Sequence, residues 1–448
     1  MGSPGPPAAA GPGSAPWKQR PMRIEFITAE SPLTRALREG EFIRFPQLTV
    51  PLLAALTPPE IEVRHTDEII HEVDFASPAD LVAITCCTPA APHAYEIARR
   101  FRERGIPVVL GGPHPTLLPA EAQAHADAVV VGEAEESWPR LIEDFRAGCL
   151  QPLYRAEALP SLCGLPHARR DLLSGRWYSK GVLIATRGCP NTCEYCTLPH
   201  LYHRKLRFRP VQEVAREVAA IKGKPIVFWD DNLAADPAYA KEMFRAITPY
   251  KKWWTAQATM QIAEDDELLR LAAESGCKAF FIGFESFSQQ SLDAIGKGFN
   301  RVRDYRDVVA KLHTYGIAIQ AGIMLGFDQD GPDVFARTVE AARAIGIDNA
   351  TISLVVPFPG TRLFARFERE GRILTRDWSK YNGKTDVVFR PRLMAPEVLQ
   401  AGFEWTRREF YSWGSIWSRL SRSRTGLEWN LLRNVGYHRA AYRRGGVV

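Results

Sequence analysis

Short apolar runs alternate with amphipathic stretches along most of the chain. In the first third RIEFIT (23–28), IEVRHT (61–66), LVAIT (81–85), IPVVLGG (106–112) and HADAVVVGE (125–133) have the length and composition of strands. TVPLLAALT (49–57), the stretch from about Ala94 to Glu103 and the segment through Trp138 and Leu141 have helical spacing. This alternation predicts a doubly wound, Rossmann-like parallel sheet, and such sheets bind ligands at the carboxyl ends of their strands. Glycine and polar residues gather at those ends, in TCCTP (85–89), GGPHPT (111–116) and GEAEE (132–136). No GxGxxG follows the first strand, so a dinucleotide site is not expected.

Residues 151–180 lose periodicity, contain several prolines and read as a linker. Strand–helix alternation then resumes. The expected strands are GVLIATRG (181–188), PIVFWDDN (225–232), WWTAQATM (253–260), KAFFIGFES (278–286), GIAIQAGIMLGF (316–327) and NATISLVVPFPGT (349–361). Helical spacing between them falls near 211–222, 237–247, 264–275, 288–296, 306–316 and 333–345. Six such units predict a partial (β/α)6 barrel, TIM-like, with its active site at the strand carboxyl ends. Beyond about Phe364 the pattern changes. WSKYNGKTDVVFRP (378–391) predicts a loop and a strand. One long helix is expected after Pro396, with Leu399, Phe403, Phe410, Trp413, Trp417 and Leu420 on one stripe.

The expected layout is thus a tail over 1–22, a doubly wound domain over 23–150, the linker, a barrel over 181–365 and a mainly helical region over 366–448. A chain of 448 residues suits two or three domains. The Pro-, Gly-, Ala- and Ser-rich start lacks the features of a secretory signal and reads as a disordered tail. The net charge of +6 is too small to imply a nucleic-acid partner, and none is expected. No apolar run is long enough to span a membrane. The eight cysteines do not form the framework of a short secreted chain, so a reducing, cytoplasmic setting is expected.

Three of those cysteines are clustered. RGCPNTCEYC (187–196) places Cys189, Cys193 and Cys196 at CxxxCxxC spacing, directly after an apolar strand. Structural zinc takes four protein ligands, commonly as separated pairs, and no fourth partner has clear spacing here. Iron–sulfur clusters are held by thiolates, and three cysteines on a [4Fe-4S] cluster leave one iron open. The simpler alternatives are three cysteines in a loop by chance, or structural zinc with a distant fourth ligand.

The CxxxCxxC loop after the first barrel strand, with aromatic Tyr195 just before the last cysteine, resembles the radical S-adenosylmethionine family over roughly 181–365. The resemblance implies that Cys189, Cys193 and Cys196 bind a [4Fe-4S] cluster whose fourth iron chelates S-adenosylmethionine. Reductive cleavage then yields a 5′-deoxyadenosyl radical that abstracts a substrate hydrogen. It also implies an electron donor such as flavodoxin or ferredoxin. FWDDN (228–232) resembles the acidic end of the second barrel strand, where Asp230 and Asp231 serve either a ligand or a helix N-cap. GFES (283–286) resembles the fourth-strand motif, with Glu285 toward S-adenosylmethionine. AGIMLGF (321–327) and VPFPGT (356–361) resemble the adenine- and substrate-side loops, though Gly322 and Gly326 suit strand packing equally well.

The front region resembles the cobalamin-binding domains that precede many radical S-adenosylmethionine enzymes. The motifs are GGPHPT (111–116) and VVGEAEESWPRL (130–141). They imply that Gly111, Gly112, His114, Thr116, Gly132 and Glu133 lie against cobalamin. The chain has no DxHxxG, so no histidine below cobalt is implied by that motif. With the C-terminal block DWSKYNG…VVF, the pairing resembles the methylating members, some of which act on hopanoids or bacteriochlorophyll precursors. It implies C-methylation of an unactivated carbon in an apolar or polycyclic metabolite, a lipid or a tetrapyrrole. The alternatives are a cobalamin-dependent ring contraction or cyclisation without methyl transfer, a methylthiotransferase and a non-catalytic cobalamin sensor. No catalytic acid or base is identified. Aromatic residues and five arginines between Pro396 and Arg424 also suit peripheral contact with an anionic membrane, alongside a structural role closing the barrel.

Overall fold

The structure, a computed structural model, describes residues 20–30, 46–174, 179–423 and 425–442. Most of the expected tail lies outside the described residues. Its last residues are packed, with Arg20 paired to Asp80 at 2.8 Å and Met22 buried.

The front sheet has six strands: β1 (Arg23–Thr28), β2 (Glu62–Asp67), β3 (Leu81–Thr85), β4 (Val108–Gly111), β5 (Ala128–Val131) and β6 (Leu153–Arg155). They run in the order β2-β1-β3-β4-β5-β6 and every pairing is parallel. Successive side chains point to opposite faces, so each strand feeds two cores. Ile27, Val82 and Ile84 pack against Ala94, Ile97 and Phe101 of helix Ala91–Glu103. Ile24, Phe26, Leu81 and Ala83 pack with Trp138, Leu141 and Phe145 of helix Ser137–Ala147. The sheet extends past residue 150 into the expected linker. β6 is only three residues long and buries only Tyr154, which is too little for a periodic signal.

The second sheet contains β7 (Val182–Leu183), β10 (Pro225–Phe228), β11 (Trp253–Ala258), β12 (Cys277–Glu285), β13 (Ala318–Leu325) and β14 (Asn349–Leu354). Its order is β14-β13-β12-β11-β10-β7 with parallel pairings throughout, the partial barrel expected. The expected strand over 181–188 is broken. Its second piece, β8 (Thr186–Arg187), turns away and pairs antiparallel with β9 (Arg207–Phe208).

Two C-terminal expectations are corrected. Residues 378–391 form a short helical turn and a single bridge, Ile373 to Phe389, rather than a strand. The long helix is broken: helix Pro396–Phe410 ends, Ser412 caps helix Trp413–Leu420, and helix Leu427–Tyr442 follows. Leu399, Phe403, Phe410 and Leu420 are buried, whereas Trp413 and Trp417 are exposed. The break rotates the stripe, so the tryptophans leave the core face. The basic surface is also reduced. Arg407 is buried, Arg419 is buried among the carbonyls of Ile347, Asp348 and Phe410, and Arg422 donates to the carbonyls of Arg343 and Ala344. Arg424 lies outside the described residues.

Candidate active site

The cysteine loop leaves β8 through Gly188. Its φ of +93° is the left-handed region, and a Cβ there would strike the Lys205 carbonyl, so only glycine fits. Asp230, at the end of β10, fixes the approach to this turn. Its carboxylate accepts from the backbone N–H of Ala185 at 3.0 Å, from that of Thr186, and from the Thr186 hydroxyl at 2.8 Å. Asp231 accepts from the Gly188 N–H at 2.9 Å. The two aspartates therefore anchor the strand break that launches the loop. The N-cap of helix Pro237–Ile247 is Asp236, not either of them. Burial pushes the Asp230 carboxyl up to about 7, against the opposing effect of these donors.

The far side of the loop is tied to helix Arg362–Arg369. Glu194 pairs with Arg366 at 2.7 Å, Arg362 donates to the Thr192 carbonyl, and the Leu363 N–H donates to the Glu194 carbonyl at 3.1 Å. Arg366 also pairs with Asp328, which Arg372 holds at 2.7 Å. Cys193 is buried, and Cys189 and Cys196 are half-buried. Burial raises all three thiols, Cys196 to about 12. Three thiols on one short loop suit an iron–sulfur cluster, which takes its cysteines as thiolates. Among the described residues no three metal-binding side chains are placed to hold an ion. Cysteines that each take a different iron of a cluster need not converge on one point.

Tyr195 and Glu285 meet. The Tyr195 hydroxyl donates to Glu285 Oε1 at 2.8 Å, and Lys297 Nζ reaches the same oxygen at 2.5 Å. Glu285 and Lys297 are both buried. Burial alone would pull the Lys297 ammonium down, but Glu285 reverses this and holds it above the ordinary lysine range. Glu285 ends β12 at φ +63°, beside an irregularity in the pairing with β13. Gly283 leaves the space this pair needs, since a Cβ there would lie 2.7 Å from Lys297 Nζ. The sequence reading missed Lys297. A lone lysine in the loop IGKGF carries no periodic or motif signal, and its role comes from the fold. Gly322 and Gly326 serve packing: a Cβ would meet Phe281 at 2.9 Å from the first and Leu399 at 2.7 Å from the second.

At the carboxyl edge of the front sheet, Thr116 joins the two glycine loops. Its hydroxyl donates to the Gly112 carbonyl at 2.8 Å and accepts from the Gly132 N–H at 2.9 Å. Gly111 and Gly112 face inward: a Cβ would meet Val130 at 3.8 Å from the first and the Thr85 hydroxyl at 2.5 Å from the second. Of these three glycines, Gly132 alone opens onto free space, at φ +83°. The Thr85 and Ser137 hydroxyls are buried at this edge without hydrogen-bond partners. A polar-rimmed ligand such as cobalamin fits an open glycine beside unsatisfied hydroxyls.

His114 is fully buried and faces inward, its ring nitrogens 3.3 Å from Thr88 Oγ1 and 3.2 Å from Glu121 Oε1, with Trp378 donating to the same carboxylate at 3.0 Å. The expected corrin contact is corrected to an interior brace between the front sheet and the C-terminal region. Glu133 is likewise turned toward the barrel. It pairs with Arg187 and, at 2.6 Å, with Arg207, while Glu135 pairs with Arg187 at 2.6 Å. The loop after β5 is therefore ion-paired to the residue two positions ahead of Cys189.

Residues 183–333 match the radical SAM superfamily and residues 48–142 match the B12 binding domain. The chain is 33% identical over 410 residues to bacteriochlorophyllide d C-12(1)-methyltransferase of Chlorobaculum tepidum, covering 86% of this chain and 88% of that protein. It is 28% identical to hopanoid C-2 methylase of Rhodopseudomonas palustris, over 75% of this chain and 66% of that protein. The fold is that of the radical S-adenosylmethionine methyltransferase TsrM from Kitasatospora setae, solved with cobalamin and a [4Fe-4S] cluster (TM-score 0.63, 16% identity, covering 87% of this chain and 85% of that one). Sequence, sheet order and cysteine loop agree: the chain belongs to the cobalamin-dependent radical S-adenosylmethionine methyltransferase family.

Proposed function

We propose that the protein methylates an unactivated carbon of an apolar polycyclic metabolite of tetrapyrrole type. In this reading Cys189, Cys193 and Cys196 would hold the [4Fe-4S] cluster beside the site for S-adenosylmethionine. Gly132, Thr85 and Ser137 border the cobalamin edge, and Glu285 with Lys297 orients polar groups at the barrel mouth. When bound, the cluster supplies the electron that generates a radical from S-adenosylmethionine, and cobalamin supplies the methyl group. A one-electron donor of flavodoxin or ferredoxin type completes the system. The chain's own part is to fix distances and exclude water. Asp230 and Asp231 set the entry of the cysteine loop, Arg366 holds its far side, and Tyr195 and Lys297 fix the Glu285 carboxylate.

What supports methyl transfer is the 33% identity, over 86% of this chain, to a bacteriochlorophyllide methyltransferase. The ion-pair cluster of Glu133 and Glu135 with Arg187 and Arg207 supports joint use of the two edges, since it brings the loop after β5 against the start of the cysteine loop. The test is anaerobic incubation of the reconstituted protein with cobalamin, an electron donor, methyl-labelled S-adenosylmethionine and a chlorin acceptor. Label in the acceptor is expected. Cleavage of S-adenosylmethionine with a rearranged, unlabelled product would move the chain to ring contraction or cyclisation. Replacing all three cysteines by Ala should remove both cluster absorbance and cleavage; retention of both ends the reading.

No helix among the described residues is long and apolar enough to cross a membrane. Peripheral contact rests on the exposed Trp413, Trp417, Trp429, Leu431 and Leu432 near the C-terminus, a face suited to delivery of a poorly soluble substrate.

A further inference from the structure

The barrel has a cation on its inner face at the end of β13 opposite the Glu285 end. Along β13, Ile319, Ala321, Ile323 and Leu325 enter the core packed on the outer helices, so Gln320, Gly322 and Met324 face the lumen. Phe281 and Gly283 of β12 share that face, as the near contact of Gly322 with Phe281 shows. Glu285 and Lys297 lie at the upper end. At the lower end, Arg433 of helix Leu427–Tyr442 donates to Gln320 Oε1. Gln320 donates in turn to Thr351 Oγ1 at 2.9 Å and to the Tyr437 hydroxyl at 3.5 Å. Tyr437 stacks on Tyr411 at 5.0 Å, and Tyr411 is locked to both backbone groups of Ala350 on β14.

This is a braced guanidinium. Its partner is a neutral amide, and among the described residues it forms no ion pair. Arg187, Arg366 and Arg372, in contrast, all meet carboxylates. Gln320 lies three residues along β13 from Ile323, the partner of Glu285, or about 10 Å at the usual strand rise. Between the two polar ends the inner face carries the Phe281 ring and Met324, with Gly322 filled by that ring.

Resting on the methyltransferase reading above, we infer that Arg433, held by Gln320 and Tyr437, binds the carboxylate of an apolar polycyclic acid, and so places the reacting carbon toward the Glu285 end. A carboxylate gives the guanidinium the paired geometry it is shaped for. A neutral polycycle in the same slot would strip water from Arg433 and return no charge, which selects against it.

The experiment uses the full chain with cluster and cobalamin loaded, without electron donor. Quenching of tryptophan fluorescence reads the binding of pyropheophorbide a, a chlorin with one carboxyl, and of its methyl ester. The wild-type protein should bind the acid about tenfold more tightly, the worth of one charge-assisted hydrogen bond. Arg433→Gln should weaken the acid by that factor, leave the ester unchanged and keep the thermal midpoint. Equal affinities in the wild-type protein, binding of neither probe, or a preference that survives Arg433→Gln would each overturn the inference. The wild-type comparison needs no variant to fold. Binding is read without turnover, so a chain that prefers the acid but methylates nothing separates failure of the reaction reading from failure of this one.

Discussion

Lys297 and Glu285 form a buried pair in which neither charge has water to fall back on. Removing one partner leaves the other charged and uncompensated, which costs about 3–5 kcal/mol for pairs of this kind. Lys297→Met should therefore lower the denaturant midpoint strongly, and adding Glu285→Leu should recover much of the loss without restoring S-adenosylmethionine cleavage. A double variant as unstable as the sum of the singles would show that the pair is not an energetic unit. Asp230 adds a pH dependence. Its carboxyl is pushed up to about 7 by burial, whereas the unfolded chain titrates near the ordinary value of about 3.9. The folded state thus keeps a proton that the unfolded chain releases. That stability is fully present below the unfolded value and is lost as pH rises through about 7, at about 1.4 kcal/mol per pH unit inside the window. Denaturant midpoints of the metal-free protein from pH 5.5 to 8 should fall with rising pH, and Asp230→Asn should flatten the slope; an equal slope in the variant would reject the assignment. The thiols were legible because CxxxCxxC is a local pattern. Lys297 and the inward turn of His114 were not, because both are set by partners that only folding brings near.

At the level of elements, the strands of both sheets were legible because each is a short apolar run bounded by glycine or polar residues. The breaks were not. The run from 181 to 188 looks continuous, yet Asp230, far along the chain, takes the N–H groups of Ala185 and Thr186 and turns β8 out of the barrel. The stripe from Leu399 to Leu420 looks like one helix. Ser412 interrupts it by accepting from the Ser415 N–H, and Arg419 is buried to satisfy carbonyls at the foot of β14. The cysteine loop has no regular structure and depends on its ties to neighbouring elements. Arg366 spans Glu194 and Asp328 and is the main charged tie on the far side. Arg366→Met should leave the barrel folded but let the loop open. Iron should then be lost to a chelator several-fold faster than from wild type, while the far-ultraviolet spectrum stays the same. An unchanged rate of iron loss would place the holding force elsewhere, in the backbone ties from Thr192 and Leu363.

For the whole molecule, the C-terminal region both closes the barrel and presents an apolar surface. Trp417 is 78% exposed, Trp413, Trp429, Leu431 and Leu432 are exposed on the same two helices, and the Trp413 ring lies tilted 4.4 Å from His438. The sequence suggested that arginines would draw this face to anionic lipid. The fold engages most of them internally, so charge attraction contributes little and insertion of tryptophan at the headgroup boundary remains. Vesicle binding should then be nearly as strong on zwitterionic as on anionic lipid. It should also survive salt of roughly 0.5 M, where the Debye length is only a few ångströms. Flotation assays with both lipids at low and high salt read this directly. Replacing Trp413, Trp417 and Trp429 with Ala should abolish flotation and leave cluster absorbance intact, since none of the three is buried in the core. Binding that appears only on anionic lipid and fades with salt would restore the electrostatic account. Absence of flotation, with self-association through the same tryptophans, would instead make this face a contact between copies of the chain.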